Sequence, residues 1–262
     1  MAYPKNDYLD PDKIKVNTKR IGRKILVYKS TSSTNDIAAE YAKNKENDGL
    51  AIFAEEQTAG RGRAGTEWHS DRADSILCSI LLTACKCNAE LLSLTLAVAV
   101  AETIDKIAGN QAKIKWPNDI ILNGKKVAGI IVESKKDKGR IAYILGIGIN
   151  CHQKKDSFPP ELQPTATSID IESRSIVDRI SLAKRLLTSI EHWLDVAQDS
   201  NKKVMNRWRK LSTLLGHRVT LIFNRKKFTG NCIGIDPEKG LILQLDTGGT
   251  RFFDAAHTSI VK

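Results

Sequence analysis

The chain has 262 residues, 41% of them hydrophobic and 27% charged, which is enough to bury a core and excludes whole-chain disorder. Its 17 glycines are an ordinary share, so collagen-like and glycine-rich fibrous classes are excluded as well. The net charge of +11 is local: residues 1–29 carry +5 and residues 201–230 carry +9, leaving −3 for the rest, a distribution that steers acidic partners or simply solvates a face.

A polar leader over residues 1–20 comes first. Residues 21–28 read as a strand, followed by a Ser/Thr cluster at 30–34. Thr34 is the expected N-cap of a helix running from Asn35 to about Lys45, with Ile37, Ala38 and Tyr41 at helical spacing. Gly49 breaks that helix, and 50–55 return as a strand. A loop dense in Gly and Arg follows at 57–72. The continuous apolar run 75–83 predicts a buried strand, and 91–108 a long helix closed by Gly109 and Asn110. That helix is the most apolar stretch, but Ser93, Thr95, Glu102 and Asp105 interrupt it, so it is no membrane span.

Residues 113–116 form a short strand stopped by Pro117. Residues 120–122 and 127–132 flank Asn123-Gly124, a pair that tolerates positive φ and so signals a hairpin. Another strand covers 141–150. A proline-containing loop then leads to helices at about 176–197 and 204–215. After Gly216 the texture changes to short strands at 217–223, 227–235, 241–245 and 250–254. Two units result: an α/β domain over 21–213 and an all-β module over 214–262, small enough to lean on its neighbour.

The N-terminus lacks the apolar segment of a signal peptide. Cys78, Cys85, Cys87, Cys151 and Cys232 are scattered without a C-x-x-C pair, and the histidines show no metal-ligand spacing. Free thiols in a reducing compartment point to a cytoplasmic protein with no membrane partner.

Gly60-Arg61-Gly62-Arg63-Ala64-Gly65 matches the G-x-G-x-x-G pattern of dinucleotide-binding folds. The residues after it, Thr66-Glu67-Trp68-His69, start a helix poorly, and no acid stands about 20 residues on, so that reading is rejected. Glycines alternating with arginines instead let backbone N–H groups approach an anion beside forked, permanently charged donors. Lys115-Trp116-Pro117-Asn118-Asp119 ends a strand, and Lys126 enters the next apolar strand across a tight hairpin from Asp119. A lysine there is either a snorkelling edge residue or one aimed into a cleft. The glycines of Gly146-Ile147-Gly148-Ile149-Asn150 permit close approach of a ligand or of a packed helix.

Together these segments resemble the biotin–protein ligase family. The matching elements are Ser33-Thr34-Asn35, the run from Glu56 to Gly65 with Trp68 after it, Lys115 to Asp119, Lys126-Val127-Ala128-Gly129, and Gly146 to Asn150, in the family's order and with similar spacing. The resemblance covers about residues 21–262. It implies an α/β (α+β) fold with a mixed sheet flanked by helices, similar to the catalytic domain of class II aminoacyl-tRNA synthetases, plus a small C-terminal SH3-like β-barrel.

The implied activity is ATP-dependent: biotin is activated as biotinyl-5′-AMP, then transferred to a lysine of a biotin carboxyl carrier protein. Biotin and ATP are the implied substrates, with Mg²⁺ as the metal. Ser33, Thr34, Asn35, Gln57, Arg61, Gly62, Arg63, Lys126, Gly129 and Gly148 match the family's biotin positions. Arg61, Arg63, Trp68, Lys115, Asn118, Lys126 and Asn150 match its ATP and adenylate positions, with Trp68 over the adenine. Lys126, Arg63 and Asp119 are the implied catalytic residues, Asp119 either orienting Lys126 or activating the incoming amine, and Asn150 the candidate Mg²⁺ contact.

About 20 residues precede the first strand, too few for the helix-turn-helix domain of repressor-type members, so no repressor activity and no DNA partner are expected. Val261 stands where some relatives have arginine, which leaves open whether the barrel contacts ATP. The Ile141–Asn150 strand is a candidate for pairing in a homodimer or with the carrier. Two alternatives stand beside this reading. One is a lipoate–protein ligase, which shares the adenylation logic. The other is a nucleic-acid-binding protein using residues 202–227, against which Trp208 and Phe223 fall at core-like positions.

Overall fold

The computed structural model describes residues 7–109, 112–137 and 139–261. Seven strands form one mixed sheet: β1 (Ile25–Tyr28), β2 (Ala51–Ala54), β3 (Ser75–Leu82), β4 (Lys113–Lys115), β5 (Asp119–Leu122), β6 (Lys125–Asp137) and β7 (Arg140–Asn150). Their order is β1-β2-β3-β7-β6-β5-β4, with β1 and β2 parallel and every other neighbouring pair antiparallel.

Side chains alternate across a strand, so β3 serves two cores. Ile76, Cys78, Ile80 and Leu82 face the main core with α3 (Ala89–Ala108), α5 (Arg179–Asp199) and α6 (Asn201–Leu211). Leu81 faces the opposite cluster with Ala38 of α2 (Thr34–Tyr41). The largely apolar β3 run is therefore buried on both faces.

The fold is the expected α/β arrangement, and its boundaries differ where local chemistry wins. Ser33, not Thr34, caps α2, its hydroxyl accepting from the Asn35 N–H, and α2 ends at Tyr41 because Asn44 caps a separate short turn. The first strand starts at Ile25, four residues late, since Gly22 sits at φ 75°. Gly109, at φ 64°, closes α3 as its glycine implies. Asn123 and Gly124 adopt φ 49° and 81° in the hairpin they signal. The β6–β7 ribbon runs further than its apolar pattern, out to Asp137. The expected 176–197 helix starts instead at Arg179, behind the cap Asp178. Two short helices, α1 (Pro11–Ile14) and α4 (Ile169–Ser173), stand behind the caps Asp10 and Ser168 and are too short for apolar periodicity to reveal.

A second, antiparallel five-stranded sheet is the SH3-like module. Its strands are β8 (Arg218–Phe223), β9 (Lys226–Asp236), β10 (Gly240–Leu245), β11 (Thr250–Phe253) and β12 (Thr258–Ile260), in the order β11-β10-β9-β8-β12. Leu221, Leu241, Leu243 and Phe253 bury into the same continuous core as the large sheet. Among the described residues no helix is long and apolar enough to cross a membrane.

Leu9 and Ile14 are buried, so the segment from Asp7 is anchored to the core at these points and is not a wholly solvated leader. Arg179, fully buried, donates to Asp7, to Glu55 at 2.8 Å and to the Ser75 carbonyl at 3.1 Å. His152 lies 2.6 Å from Asp7 and 2.7 Å from Asp170. Burial opposes protonation of His152, but its hydrogen bonds to Asp170 and Asp7 outweigh that and raise its pKa to about 9.

Candidate active site

A narrow slot opens where β3, β6 and β7 meet the N-terminus of α2. Its free interior is about 40 Å³, room for a few water-sized molecules. Ser33, Thr34 and Asn35 form one end, Leu77, Ile131 and Gly146 the sheet side, and Gln57, Arg61, Gly62 and Trp68 the cover. Asn118, Lys126, Gly129 and Gly148 complete the wall.

The polar end is held by a small network. Gln57 Oε1 accepts from the Thr34 N–H at 2.7 Å and from the Thr34 hydroxyl at 3.0 Å. Ser79 Oγ lies 2.7 Å from Thr34 Oγ1 and 2.5 Å from Asn35 Oδ1. A fully buried serine in an apolar strand needs such partners. Ser79 carries no signal of its own in the sequence, because a hydroxyl within the apolar β3 run leaves the strand pattern intact.

The width of the slot is set by the absence of side chains. Gly129 and Gly148 are register partners on β6 and β7. A Cβ on Gly148 would stand 2.5 Å from the Trp68 indole, and one on Gly129 would stand 2.9 Å from it. Both distances are far inside contact, so the ring lies directly on bare backbone.

The cover is a folded loop. Trp68 N–H donates to the Gly60 carbonyl at 3.0 Å and Gly62 N–H to the Thr66 carbonyl at 2.7 Å. Arg61 is paired bidentately with Asp36 in the first turn of α2, at 2.8 and 2.9 Å. Its hydrogen bond holds the Asp36 carboxyl below the usual carboxylate range. Arg63 points elsewhere. Its guanidinium donates to the carbonyls of Ala255 and Thr258 in the small sheet and to Asn118 Oδ1 at 3.3 Å, and burial lowers its pKa. Of the expected ligand-contacting residues, Arg63 is the one that lines neither the slot nor the cleft beside it.

Lys126 stands at the junction of the slot and an adjoining cleft of about 670 Å³. Its Nζ is 2.6 Å from Asp119 Oδ1 and 5.7 Å from the Trp68 ring centroid. Its backbone is clamped between Thr165, whose carbonyl accepts the Lys126 N–H, and Thr167, whose N–H reaches the Lys126 carbonyl. A register shift between Ile120 and Ile121 accompanies the Asp119–Lys126 approach. Lys115, Asp119, Trp68 and Asn150 also line the cleft, together with Phe158 and Leu162, which the sequence reading did not single out.

Asn150 is committed to the protein. Its amide donates to the Thr167 carbonyl at 2.9 Å, and its carbonyl oxygen receives Gln153 at 3.4 Å. No group of three His, Cys, Asp or Glu side chains placed to hold a metal occurs among the described residues. Mg²⁺ keeps several waters and binds through one or two carboxylates and the substrate's phosphates, so it needs no such group, and Glu67 and Asp119 are carboxylates that line the cleft.

A family model described as biotin/lipoate A/B protein ligase matches residues 27–150. A "Bifunctional ligase/repressor BirA" of Bacillus spizizenii is 34% identical over 244 residues, covering 92% of this chain and 75% of that protein. A "Biotin--[acetyl-CoA-carboxylase] ligase" of Mycobacterium tuberculosis is 31% identical, covering 87% of this chain and 85% of that protein. The structure of an Aquifex aeolicus biotin protein ligase "in complex with biotin and ATP" superposes with a TM-score of 0.78 at 26% identity, covering 92% of this chain and 99% of that one.

Proposed function

This chain belongs to the biotin–protein ligase family, and from that premise we propose that it activates biotin with ATP and transfers it to one lysine of a biotin carboxyl carrier protein. The observation that carries the reading is Lys126, held 2.6 Å from Asp119 where the narrow slot opens into the larger cleft. The slot takes the biotin ring and the cleft the nucleotide, so the biotin carboxylate and the α-phosphate meet at Lys126.

In the first step a carboxylate oxygen attacks the α-phosphorus and pyrophosphate leaves, giving biotinyl-5′-adenylate. Two like charges about 4 Å apart repel by about 4 kcal/mol at intermediate dielectric. The Lys126 ammonium offsets that repulsion and the charge growing on the phosphoryl oxygens. Asp119 orients the ammonium. In the second step the carrier's ε-amine attacks the adenylate carbonyl, loses a proton, and AMP leaves. Mg²⁺ would travel with the nucleotide, where it neutralises phosphate charge. We assign catalysis to residues 21–213, with 214–262 as a supporting module.

The polar end of the slot suits a ring that both donates and accepts, through Ser33, Thr34, Asn35, Gln57 and Ser79. Since Trp68 leaves so little free interior, the 57–72 loop must lift for biotin to enter and close again to keep water from the adenylate. Arg61 lies on the part of that loop lining the slot and is available to a phosphate or carboxylate once it releases Asp36.

The test is mass spectrometry of an apo carrier domain incubated with the protein, ATP, Mg²⁺ and equal biotin and lipoate. A biotin-sized adduct on one lysine, absent without ATP, is expected. A lipoyl adduct would move the chain's substrate to the sibling activity, and no adduct on a competent carrier would overturn the reading.

A further inference from the structure

The two sheets meet at a contact that the chemistry above does not use. The turn from β11 into the first residue of β12, residues 254–258, is gripped from two directions. Arg63, from the cover of the slot, donates to the carbonyls of Ala255 and Thr258. Glu90, in the first turn of α3, accepts the Ala255 N–H through Oε1 at 2.5 Å. The loop is also braced internally: Asp254 Oδ1 accepts from the His257 N–H at 2.9 Å, and the Thr258 hydroxyl donates to the Asp254 carbonyl at 2.6 Å.

Glu90 is an unusual residue for such a place. Its Oε2 is buried with no hydrogen-bond partner among the described residues, and an orphaned buried oxygen is destabilising. Burial also raises the pKa of its carboxyl. A leucine would fill the same volume without that penalty, so the carboxyl is explained by the Ala255 N–H it accepts and by the nearby charge of Arg63, which draws its pKa back down. Asn118 closes the chain of contacts: it lines the slot and accepts from the second guanidinium nitrogen of Arg63.

We infer that residues 254–258 are the dock on which the glycine-rich cover of the slot closes, and that Glu90 is the positioning residue that holds this dock in register with Arg63. The small sheet then acts on the reaction without touching substrate. With the dock in place Arg63 finds two carbonyls and the cover stays shut; with the dock displaced Arg63 loses both and the cover opens more often. The assignment rests on the ligase reading only for its consequence, retention of the adenylate, and not for the contact itself.

Two variants of similar size separate an acceptor from mere bulk: Glu90→Gln keeps an oxygen for the Ala255 N–H, and Glu90→Met does not. The first readout is hydrogen exchange of a peptide spanning the cover in the ligand-free full chain. Glu90→Met is expected to speed exchange there roughly tenfold, the scale of one buried hydrogen bond lost, with Glu90→Gln close to the parent. Arg63→Gly is expected to give the same acceleration, and the Arg63→Gly/Glu90→Met double variant no more than either alone, because both break one contact. Equal exchange in Glu90→Met and Glu90→Gln, or full additivity in the double variant, would overturn the dock. The second readout is escape of pre-formed adenylate, scored as labelling of unrelated lysines, which should rise in the same two single variants. A parent protein that labels no carrier would sink the ligase reading, while the exchange measurement still decides the dock.

Discussion

Two clusters of charge in this molecule are built in opposite ways. Around Arg179 the guanidinium donates to Asp7, Glu55 and the Ser75 carbonyl, and His152 is bracketed by Asp7 and Asp170. Every partner there belongs to the protein, and Arg179 is completely buried. Around Lys126 there is a single carboxylate, Asp119, with both side chains about a third exposed. A fully satisfied buried cluster ties elements together, here the N-terminal segment, β2, β3 and α5. A half-satisfied one at a cavity mouth keeps bonding capacity for something that arrives. What separates the two cations is their partners: Arg179 meets two carboxylates and a carbonyl inside the protein, Lys126 one partly exposed carboxylate.

That contrast breaks first at Arg179. Arg179→Ala leaves Asp7 and Glu55 without their cation and should destabilise the fold by about 3–5 kcal/mol, read by chemical denaturation. Whatever protein remains folded should bind ligand in the slot as before. A loss below about 1 kcal/mol would mean the cluster is no clamp.

Lys126→Ala should do the reverse. Adenylate formation should drop on the order of 10²–10³-fold, with stability nearly unchanged because the side chain is partly exposed. A mutant that adenylates at the parent rate would remove Lys126 from the chemistry.

The third test is pH. His152 holds its proton more tightly in the folded chain than the ordinary value of 6.5, up to about 9. Its contribution to stability is therefore complete below about pH 6.5 and is lost as pH rises through about 9. Denaturation midpoints across that window should fall in the parent and flatten in His152→Gln.

The smallest effect belongs to Arg61. Its pair with Asp36 is more than two-fifths exposed on both sides, so Arg61→Ala should change stability by at most about 1 kcal/mol. It should weaken apparent affinity for biotin and ATP more than it slows turnover, as kinetics with each substrate varied would show.

Much of the site could be read from residue order because it is local. The turn at Asn123-Gly124, the glycine–arginine loop and the lysine opening β6 are each set by neighbours in sequence. The clamp could not be read this way. Glu55, Ser75, His152 and Arg179 are ordinary polar residues until the sheet brings them together, and a segment reading Asp7-Tyr8-Leu9-Asp10-Pro11-Asp12 looks solvated although Leu9 and Ile14 are buried. Ser79 was hidden for the opposite reason, since one hydroxyl does not disturb an apolar strand pattern. Arg63 shows the remaining limit: its motif placed it in the loop, but only the small sheet's two carbonyls decide where it points.

The paired glycines 129 and 148 carry one more consequence. In an ordinary core the large residues are the least replaceable, because truncating them leaves holes. Here the ranking is inverted: the positions that tolerate no change are those with nothing to truncate. A single methyl on either strand lands inside the indole of Trp68, so the chain's discrimination is a limit on thickness. Any ligand that takes the place of that ring must be flat enough to lie between two backbones and its cover.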